Sequence, residues 1–285
     1  MSNLFHYCST AAFQSIISSR SVWLSALRLS NDTSEGQVVA QTMRRLATAN
    51  GLAQQTTDDL LSAVFNLEGF YDGFGFCLSA ERDLLSQWRA YGDDGRGVSI
   101  GFRMDYLRSL VSASQGSALD LNLREVRYDA QLQDDLVRPV FQELRRLLDS
   151  DDEFPLGSNS RAPHLATDSR ITELDGRLAV LTLLQAAMPA LLHVFSFKDC
   201  SFREEKEWRL LNLYDWLPEY SCSFRAAGER LVPYHACALQ MPLEAATAEV
   251  VLGPKHITPV SVVEHFLRRS GFAQVRVTKS DSPYR

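Results

Sequence analysis

Short strand patterns, with helical patterns placed irregularly between them, limit what this chain of 285 residues can fold into. Residues 4–8, 75–79 and 97–102 have the aromatic and apolar content typical of short strands. Apolar residues at helical spacing predict long helices over about 131–148 and about 172–193. Because a doubly wound parallel sheet requires regular alternation of strand and helix, the irregular order favours an α+β fold.

The sequence contains no break in composition that would divide it into domains. Residues 149–168 are polar and rich in Pro, Gly and Ser, which is typical of a mobile loop. The strand patterns on either side of this loop nevertheless look like parts of one sheet. We therefore expect a single domain over residues 1–285, with a helical insertion at about 131–193.

Composition and charge exclude several classes of protein. A hydrophobic content of 45% with 22% charged residues is ordinary for a globular chain, and a net charge of −6 argues against general coating of DNA. The N-terminus lacks a signal-peptide pattern, and no apolar run reaches the ~18 residues that span a bilayer. Five cysteines without a C-x-x-C pair indicate free thiols in a reducing compartment and argue against zinc. We expect a cytoplasmic protein without a membrane partner.

A cluster of carboxylates precedes a strand-like apolar run at residues 210–214. Residues 204–209 read Glu-Glu-Lys-Glu-Trp-Arg, and in a strand Glu205 and Glu207 would share one face, about 7 Å apart. Such a pair can stabilise a sugar cation, orient a ribose hydroxyl or activate a nucleophile. It can equally be a charged edge that prevents a strand from pairing wrongly. The local sequence leaves both interpretations open.

Three aromatic or imidazole side chains are further candidates. His6 lies in an aromatic strand pattern, where a histidine is more often packed or hydrogen-bonded than catalytic. Trp88 and Tyr91 are three residues apart and so share a helix face, either as core anchors or as a platform for a flat ring such as nicotinamide or adenine. Neither G-x-G-x-x-G nor a P-loop occurs, which excludes the commonest nucleotide-binding motifs.

Residues 97–101 match G-x-S-x-G, the nucleophile-elbow pattern of serine hydrolases. An elbow requires its serine in the sharp turn between a strand and a helix, whereas here the apolar alternation continues through Phe102. We therefore expect Ser99 inside a strand where a neighbour packs closely. Because Asp199 and a histidine, His235 or His256, follow in the required order, a serine hydrolase using Ser99 is kept as a lesser alternative.

Eight short motifs occur in order along nearly the whole chain. They are Phe5-His6-Tyr7-x-Ser9, Leu29-Ser30-Asn31-Asp32-x-x-Glu35-Gly36, Phe76-x-Leu78-Ser79, Leu85-Ser86-Gln87-Trp88-Arg89-x-Tyr91, Gly97-Val98-x-Ile100-Gly101-Phe102, Glu205-x-Glu207-Trp208-Arg209-Leu210, Leu252-Gly253-Pro254-Lys255 and Ser282-Pro283-Tyr284-Arg285. Together they resemble a widespread bacterial family of unknown function that is often encoded near defence genes. That family is remotely similar to the ADP-ribosyltransferase fold, a split mixed or antiparallel sheet that holds NAD in a cleft between flanking helices.

The resemblance implies roles for particular residues. Glu207 would be the catalytic carboxylate, with Glu205 as its partner toward the acceptor. Cleavage of nicotinamide from NAD creates an oxocarbenium-like ribose, which a carboxylate bonded to the 2-hydroxyl stabilises without a metal. An aromatic ring would hold the nicotinamide and an arginine fork the pyrophosphate. The residues expected to bind NAD on this basis are His6, Tyr7, Ser79, Trp88, Arg89, Tyr91 and Arg209.

The sequence thus predicts an ADP-ribosyltransferase-like enzyme that takes NAD as substrate. Its acceptor is unknown; we expect a macromolecule, with the enzyme acting in phage defence or as a toxin. Many transferases of this fold carry a Tyr or a Ser-Thr-Ser set on the second and third strands, where this chain has residues 23–25 and 77–79. That departure keeps open a catalytically inactive nucleotide- or partner-binding module.

Overall fold

The computed structural model describes residues 2–29, 36–68, 71–117, 119–149, 170–215, 222–227 and 229–284. In these ranges the chain forms ten strands and nine α-helices, which confirms the predicted α+β class. The strands are β1 Asn3–Cys8, β2 Ser21–Ala26, β3 Tyr71–Ser79, β4 Val98–Arg103, β5 Leu121–Glu125, β6 Glu207–Asp215, β7 Ser223–Ala227, β8 Arg230–Ala238, β9 Thr247–Leu252 and β10 Arg276–Lys279. The helices are α1 Thr10–Ser19, α2 Gln37–Ala49, α3 Gln54–Glu68, α4 Leu85–Ala90, α5 Met104–Ser114, α6 Ala130–Asp149, α7 Arg170–Val194, α8 Leu243–Ala246 and α9 Val260–Arg269.

All ten strands belong to one open sheet of mixed, mostly antiparallel pairing. Its main order is β10–β9–β4–β1–β3–β2–β8–β7, with β6 beside β3 and β5 beside β6. The pair β9–β10 is parallel, and the other strand pairs are antiparallel. No helix in the described part of the chain is both long and apolar enough to cross a bilayer.

The sheet is split along one edge of β3. Strand β6 pairs with β3 over its whole length and so occupies the first edge. The second edge is shared, because Ser79 pairs with Phe5 of β1 while Phe74 and Gly75 pair with β2. Strands β1 and β2 therefore separate over the middle of β3. This separation creates the opening in which the candidate site lies.

Helices pack on the sheet through two apolar cores. Helices α1, α5, α8 and α9 bury their apolar faces in the first core, where α1 contributes Phe13 and Ile17 at helical spacing. Helices α2, α3, α6 and α7 form the second core on β3 and β6. Gly73 of β3 allows this close approach, because a side chain there would overlap the ring of Phe195. Each fully buried large side chain stabilises the fold by about 1.5–3 kcal/mol.

Several predicted boundaries differ from the structure. The sequence also predicts a short strand at 125–129, but the strand lies earlier, as β5, because Leu121 and Leu123 pair with β6. The short edge strand β7 was not predicted, since its exposed and partly polar residues give no strong apolar pattern. The sequence predicts Thr258 as the N-cap and Pro259 as the first residue of the last helix, whereas in the structure Pro259 itself precedes the first turn of α9. The sequence also predicts a turn and helix cap over residues 29–36. Residues 30–35 of that cap and residues 150–168 of the expected loop lie outside the described ranges.

Candidate functional site

A cleft of about 430 Å³ opens where β1 and β2 separate. This volume falls within the ~300–1,000 Å³ typical of small-molecule pockets. His6 of β1 and Glu207 of β6 both line it, although 200 residues lie between them in the chain. The remaining walls come from β2, β3, β7, β8, α4 and the segment that follows α7. The cleft thus brings together residues that are far apart in the sequence, from Phe5 to Val232.

His6 reaches into the split in the sheet. Its Nδ1 lies 2.8 Å from the carbonyl oxygen of Cys77, and its ring centroid is 4.2 Å from that of Phe76. A carbonyl can only accept a hydrogen bond, so Nδ1 carries the proton and Nε2 keeps its lone pair. Burial lowers the pKa of His6 to about 4, a shift that the bond to Cys77 partly opposes. The imidazole is therefore neutral at physiological pH.

Two basic and two acidic side chains form a buried network in the floor of the cleft. The Lys198 ammonium bridges both carboxylates, at 2.9 Å from Glu205 Oε2 and 2.8 Å from Glu207 Oε2. The Arg209 guanidinium holds Glu207 in a fork, with Nε 2.8 Å from Oε1 and Nη2 3.1 Å from Oε2. Its Nη1 also donates to the carbonyl oxygen of Phe195 at 2.9 Å. The four charges balance within the network.

The ion pairs of this network keep Glu207 and Lys198 in their charged forms. Burial alone would raise the pKa of Glu207, but Arg209 and Lys198 outweigh it and lower that pKa to about 2. Burial alone would lower the pKa of Lys198, yet Glu207 and Glu205 raise it above its ordinary value. Glu207 is therefore an anion and Lys198 a cation throughout the neutral range. Removal of either partner would leave an uncompensated buried charge.

Local backbone geometry explains how the two glutamates reach the same ammonium. Glu207 begins β6, so Arg209 two residues later shares its face of the sheet. Glu205 does not lie on this strand, as the sequence had suggested, but ends a 3₁₀ turn, Cys200–Glu205. Lys206 then takes a left-handed conformation with φ of 43°, and the chain turns into β6. The predicted carboxylate pair thus meets in the cleft through a turn rather than through strand alternation.

The predicted aromatic platform is divided between the core and the cleft. Trp88 is fully buried, and its indole N–H donates to Asp83 Oδ1 at 2.6 Å. The ring of Tyr7 meets Trp88 edge-on at a centroid distance of 4.8 Å. Tyr91 instead borders the cleft with 41% of its surface exposed, its hydroxyl 3.4 Å from Glu205 Oε1. Tyr91 is thus available to a ligand, whereas Trp88 anchors α4 in the core.

Other predicted binding residues have structural partners. Ser79 is buried outside the cleft lining, and its hydroxyl donates to the carbonyl oxygen of Glu205 at 2.7 Å. The ring of Tyr7 lines the cleft, but its hydroxyl donates to the carbonyl oxygen of Glu81 at 2.8 Å. Arg89 lies away from the cleft, with its guanidinium 4.7 Å from the ring centre of Tyr284. The structure therefore does not bring Ser79, Trp88 or Arg89 to the cleft surface.

Three basic residues of the cleft were missed from the sequence. Lys198 follows α7, and no local pattern marks it as a partner for distant glutamates. Arg225 of β7 and Arg230 of β8 also border the cleft. Local spacing does not show which strands lie side by side in the sheet, so it could not place Arg225 and Arg230 at the cleft. Cys77 is an exposed thiol in the same lining.

Ser99 does not occupy a nucleophile elbow. It is fully buried inside β4, where it pairs with Tyr7 of β1 and Val251 of β9. The strand continues to Arg103, and α5 begins only at the next residue. His256, one of the two candidate bases, instead places Nε2 3.2 Å from the hydroxyl of Thr10. Ser99 therefore lacks the exposed strand-to-helix turn that hydrolase chemistry requires.

The fold and site together define an α+β protein with a cleft in a split, mostly antiparallel sheet and a charge-balanced network of buried side chains in the floor of that cleft. Residues 87–210 match the model of a family described as Protein of unknown function (DUF2971), a relationship that agrees with the predicted membership of a family of unknown function. The matched region extends from α4 into β6 and includes Lys198, Glu205, Glu207 and Arg209. No curated protein and no solved structure matches the chain. Among the described residues, no group of three or more His, Cys, Asp or Glu is arranged to hold a metal ion.

Proposed function

We propose that the chain is an ADP-ribosyltransferase-like enzyme that cleaves the bond between nicotinamide and ribose in NAD. The observation that carries this proposal is the convergence of His6 and the Glu205–Glu207 pair on one cleft at the split of the sheet. A split sheet with a first-strand polar residue and a late-strand glutamate is the arrangement that the resemblance to this fold implies. NAD is the substrate, and no metal is needed for the chemistry.

Glu207 is the group suited to stabilise the transition state. The C1′–N bond breaks, its electron pair leaves with neutral nicotinamide, and positive charge spreads over C1′ and the ring oxygen of the ribose. Glu207 has a pKa of about 2 and is therefore already ionised at neutral pH. A hydrogen bond from the ribose 2-hydroxyl to this carboxylate would strengthen as the charge develops.

Glu205 is the group suited to activate the acceptor. An acceptor lone pair forms the new bond to C1′, and the acceptor proton passes to this carboxylate. Glu205 is held less tightly than Glu207, through Lys198 on Oε2 and a long contact of 3.4 Å from Tyr91 on Oε1. Its side chain is also more exposed, 12% against 7% for Glu207. These differences leave Glu205 more accessible than Glu207 to an incoming acceptor.

His6 and Tyr91 fit the two ends of the nicotinamide riboside. His6 is neutral, and its Nε2 lone pair can accept a hydrogen bond from a ribose hydroxyl. The ring of Tyr91, exposed at the cleft beside Glu205, offers a face on which nicotinamide can stack. Both roles use side chains that the split sheet places in the lining.

Substitution of Glu207 tests the mechanism. We expect Glu207→Gln to lower the rate of nicotinamide release from NAD by about 10²-fold or more, because the amide cannot stabilise the ribosyl cation. Glu204→Gln is the matched control, since Glu204 is exposed, immediately precedes Glu205 in the sequence and does not line the cleft. Thermal unfolding of each variant separates loss of chemistry from loss of fold. Equal rates in Glu207→Gln and the unaltered protein would exclude this role.

One observation favours a second function, a catalytically inactive nucleotide-binding module. Arg209 and Lys198 already contact both oxygens of Glu207, so three of its about four acceptor positions are occupied. A carboxylate held in this way can be purely structural. Such a module would be stabilised against heat by NAD or ADP-ribose but would release no nicotinamide.

A further inference from the structure

The wall of the cleft formed by β2 and β8 carries a stacked aromatic pair. The rings of Trp23 in β2 and Tyr234 in β8 lie 4.3 Å apart between centroids, with an angle of 28° between their planes. Both side chains are half-buried, and Trp23 lines the cleft while Tyr234 does not. Tyr234 therefore supports the Trp23 ring from outside the cleft. A ring held in this way loses little freedom when a planar ligand stacks on it.

Two arginines border the same part of the cleft. Strand alternation and the β7–β8 register place Arg225 on the face of the sheet that carries Trp23 and Tyr234. The Nη2 of Arg225 donates to the Ser25 hydroxyl at 3.1 Å, which fixes the direction of its fork. Arg230 adds a second guanidinium at the exposed end of β8.

These arginines supply the excess positive charge of the cleft. The charges of Lys198 and Arg209 are balanced by Glu205 and Glu207. Within the ranges that the structure describes, Arg225 and Arg230 make no ion pair with a carboxylate; Arg230 only approaches the carbonyl oxygen of Leu29 at 3.4 Å. Two guanidinium groups beside a half-buried indole that lines the cleft are suited to a planar base joined to phosphates.

We propose that this part of the cleft binds the adenosine diphosphate moiety of a dinucleotide. The base stacks on Trp23, and the diphosphate lies between the forks of Arg225 and Arg230. The opposite end of the ligand then lies at Glu207. The direction of the dinucleotide rests on the proposed function, whereas the site for a base and two phosphates rests only on this wall.

Titration with ADP tests the site, because ADP contains the base and diphosphate but no nicotinamide. We expect Trp23→Ala to raise the Kd for ADP about tenfold or more, the effect of losing one stacking contact, and Trp23→Phe to raise it less. The double variant Arg225→Gln/Arg230→Gln should weaken both ADP and inorganic pyrophosphate, whereas Trp23→Ala should weaken ADP alone. Arg268→Gln, on the exposed face of α9, is the control that should bind as the unaltered protein does.

The outcomes separate this inference from the proposed function. If Trp23→Phe and the double arginine variant are folded and bind ADP as the unaltered protein does, the inference is wrong, even if NAD is turned over. If ADP binding depends on this wall but no nicotinamide is released, the inference holds and the proposed function fails. A thymidine oligonucleotide that binds more tightly than ADP, with the same dependence on Trp23 and the arginines, would replace the dinucleotide with single-stranded nucleic acid.

Discussion

His6 supplies a polar side chain at the point where β1 and β2 separate. Its Nδ1–H donates to the Cys77 carbonyl oxygen in the stretch of β3 where β1 and β2 have separated. A backbone carbonyl that must be satisfied by a side chain makes that side chain part of the fold. The same bond requires a neutral, oriented imidazole. The residue proposed to contact ribose is thus fixed in place before any ligand binds.

The lowered pKa of His6 predicts how stability changes with pH. Its pKa is about 4 in the folded state and 6.5 in the unfolded state, so the unfolded chain binds the proton first as pH falls. Stability should therefore fall between about pH 6.5 and pH 4, and this contribution should become constant below the folded pKa. His6→Gln should reduce the slope of unfolding free energy against pH in this window, measured by urea titration.

Two further residues bear on this test. His193 has a pKa that burial also lowers to about 4, so the slope in His6→Gln should shrink rather than vanish. Below about pH 4.5 a further loss of stability should come from protonation of Glu207, because its pKa is lowered to about 2 in the folded state. A slope in His6→Gln equal to that of the unaltered protein would contradict the assignment.

At the scale of elements, the start of β4 is where three segments converge. The N–H of Gly97 donates to the carbonyl oxygen of Gly92 at 2.8 Å, and its own carbonyl accepts from Gly253 at 3.0 Å. A side chain at Gly97 would overlap the carbonyl oxygen of Cys8, a backbone atom that cannot move aside. The G-x-S-x-G pattern is therefore explained by close packing of a strand, as the continued apolar alternation indicated.

Gly97→Ala should consequently destabilise the protein by about 3 kcal/mol, because the overlap is with backbone rather than with a flexible side chain. Gly116→Ala is a matched control. It has a left-handed φ of 73° but no atom within 4 Å of a new methyl group, so it should cost only about 1 kcal/mol. The shift of the urea midpoint measures both. A smaller cost at Gly97 than at Gly116 would show that the convergence of the three segments is not tight.

At the scale of the whole molecule, residues 280–284 form a strap across α4 and the turn after it. Asp83 accepts from the Ser280 hydroxyl at 2.6 Å and from the Asp281 N–H at 2.7 Å, as well as from the Trp88 indole. The Tyr284 hydroxyl donates to Asp94 at 2.6 Å. Lys255 and Arg89 lie 3.8 and 4.7 Å from the centre of the Tyr284 ring. Motifs far apart in the sequence thus meet in one structural contact.

The strap should stabilise the helix that carries Tyr91 to the cleft. Asp83→Ala removes the shared acceptor of three hydrogen bonds and should cost about 2–4 kcal/mol of unfolding free energy. Asp281→Ala, whose side chain is 89% exposed, should cost less than about 0.5 kcal/mol. Amide hydrogen exchange within α4 should accelerate in Asp83→Ala but not in Asp281→Ala. Equal exchange in the two variants would show that the strap does not restrain α4.

Much of the backbone followed from local sequence. Ser9 and Thr10 before an apolar helical pattern predict a helix cap at one of these two residues, and Ser9 caps α1 by accepting from the Ala12 N–H at 3.2 Å. The apolar spacing of α6 and α7 located both long helices within a few residues. The two-residue spacing of Glu207 and Arg209 placed their side chains on one face of β6, where they pair. These features depend only on residues that are close together in the sequence.

The surroundings of the site were decided by tertiary structure. Trp88 and Tyr91 are three residues apart, a spacing that predicts one shared helix face. Trp88 is nevertheless buried against Tyr7, whereas Tyr91 borders the cleft. Lys198 forms ion pairs with both glutamates because α7 ends beside β6. No local sequence pattern encodes this proximity of α7 and β6. Sequence spacing determines which face a side chain takes. Long-range packing determines what faces it, because burial, strand neighbours and charge partners come from segments that are distant in the chain.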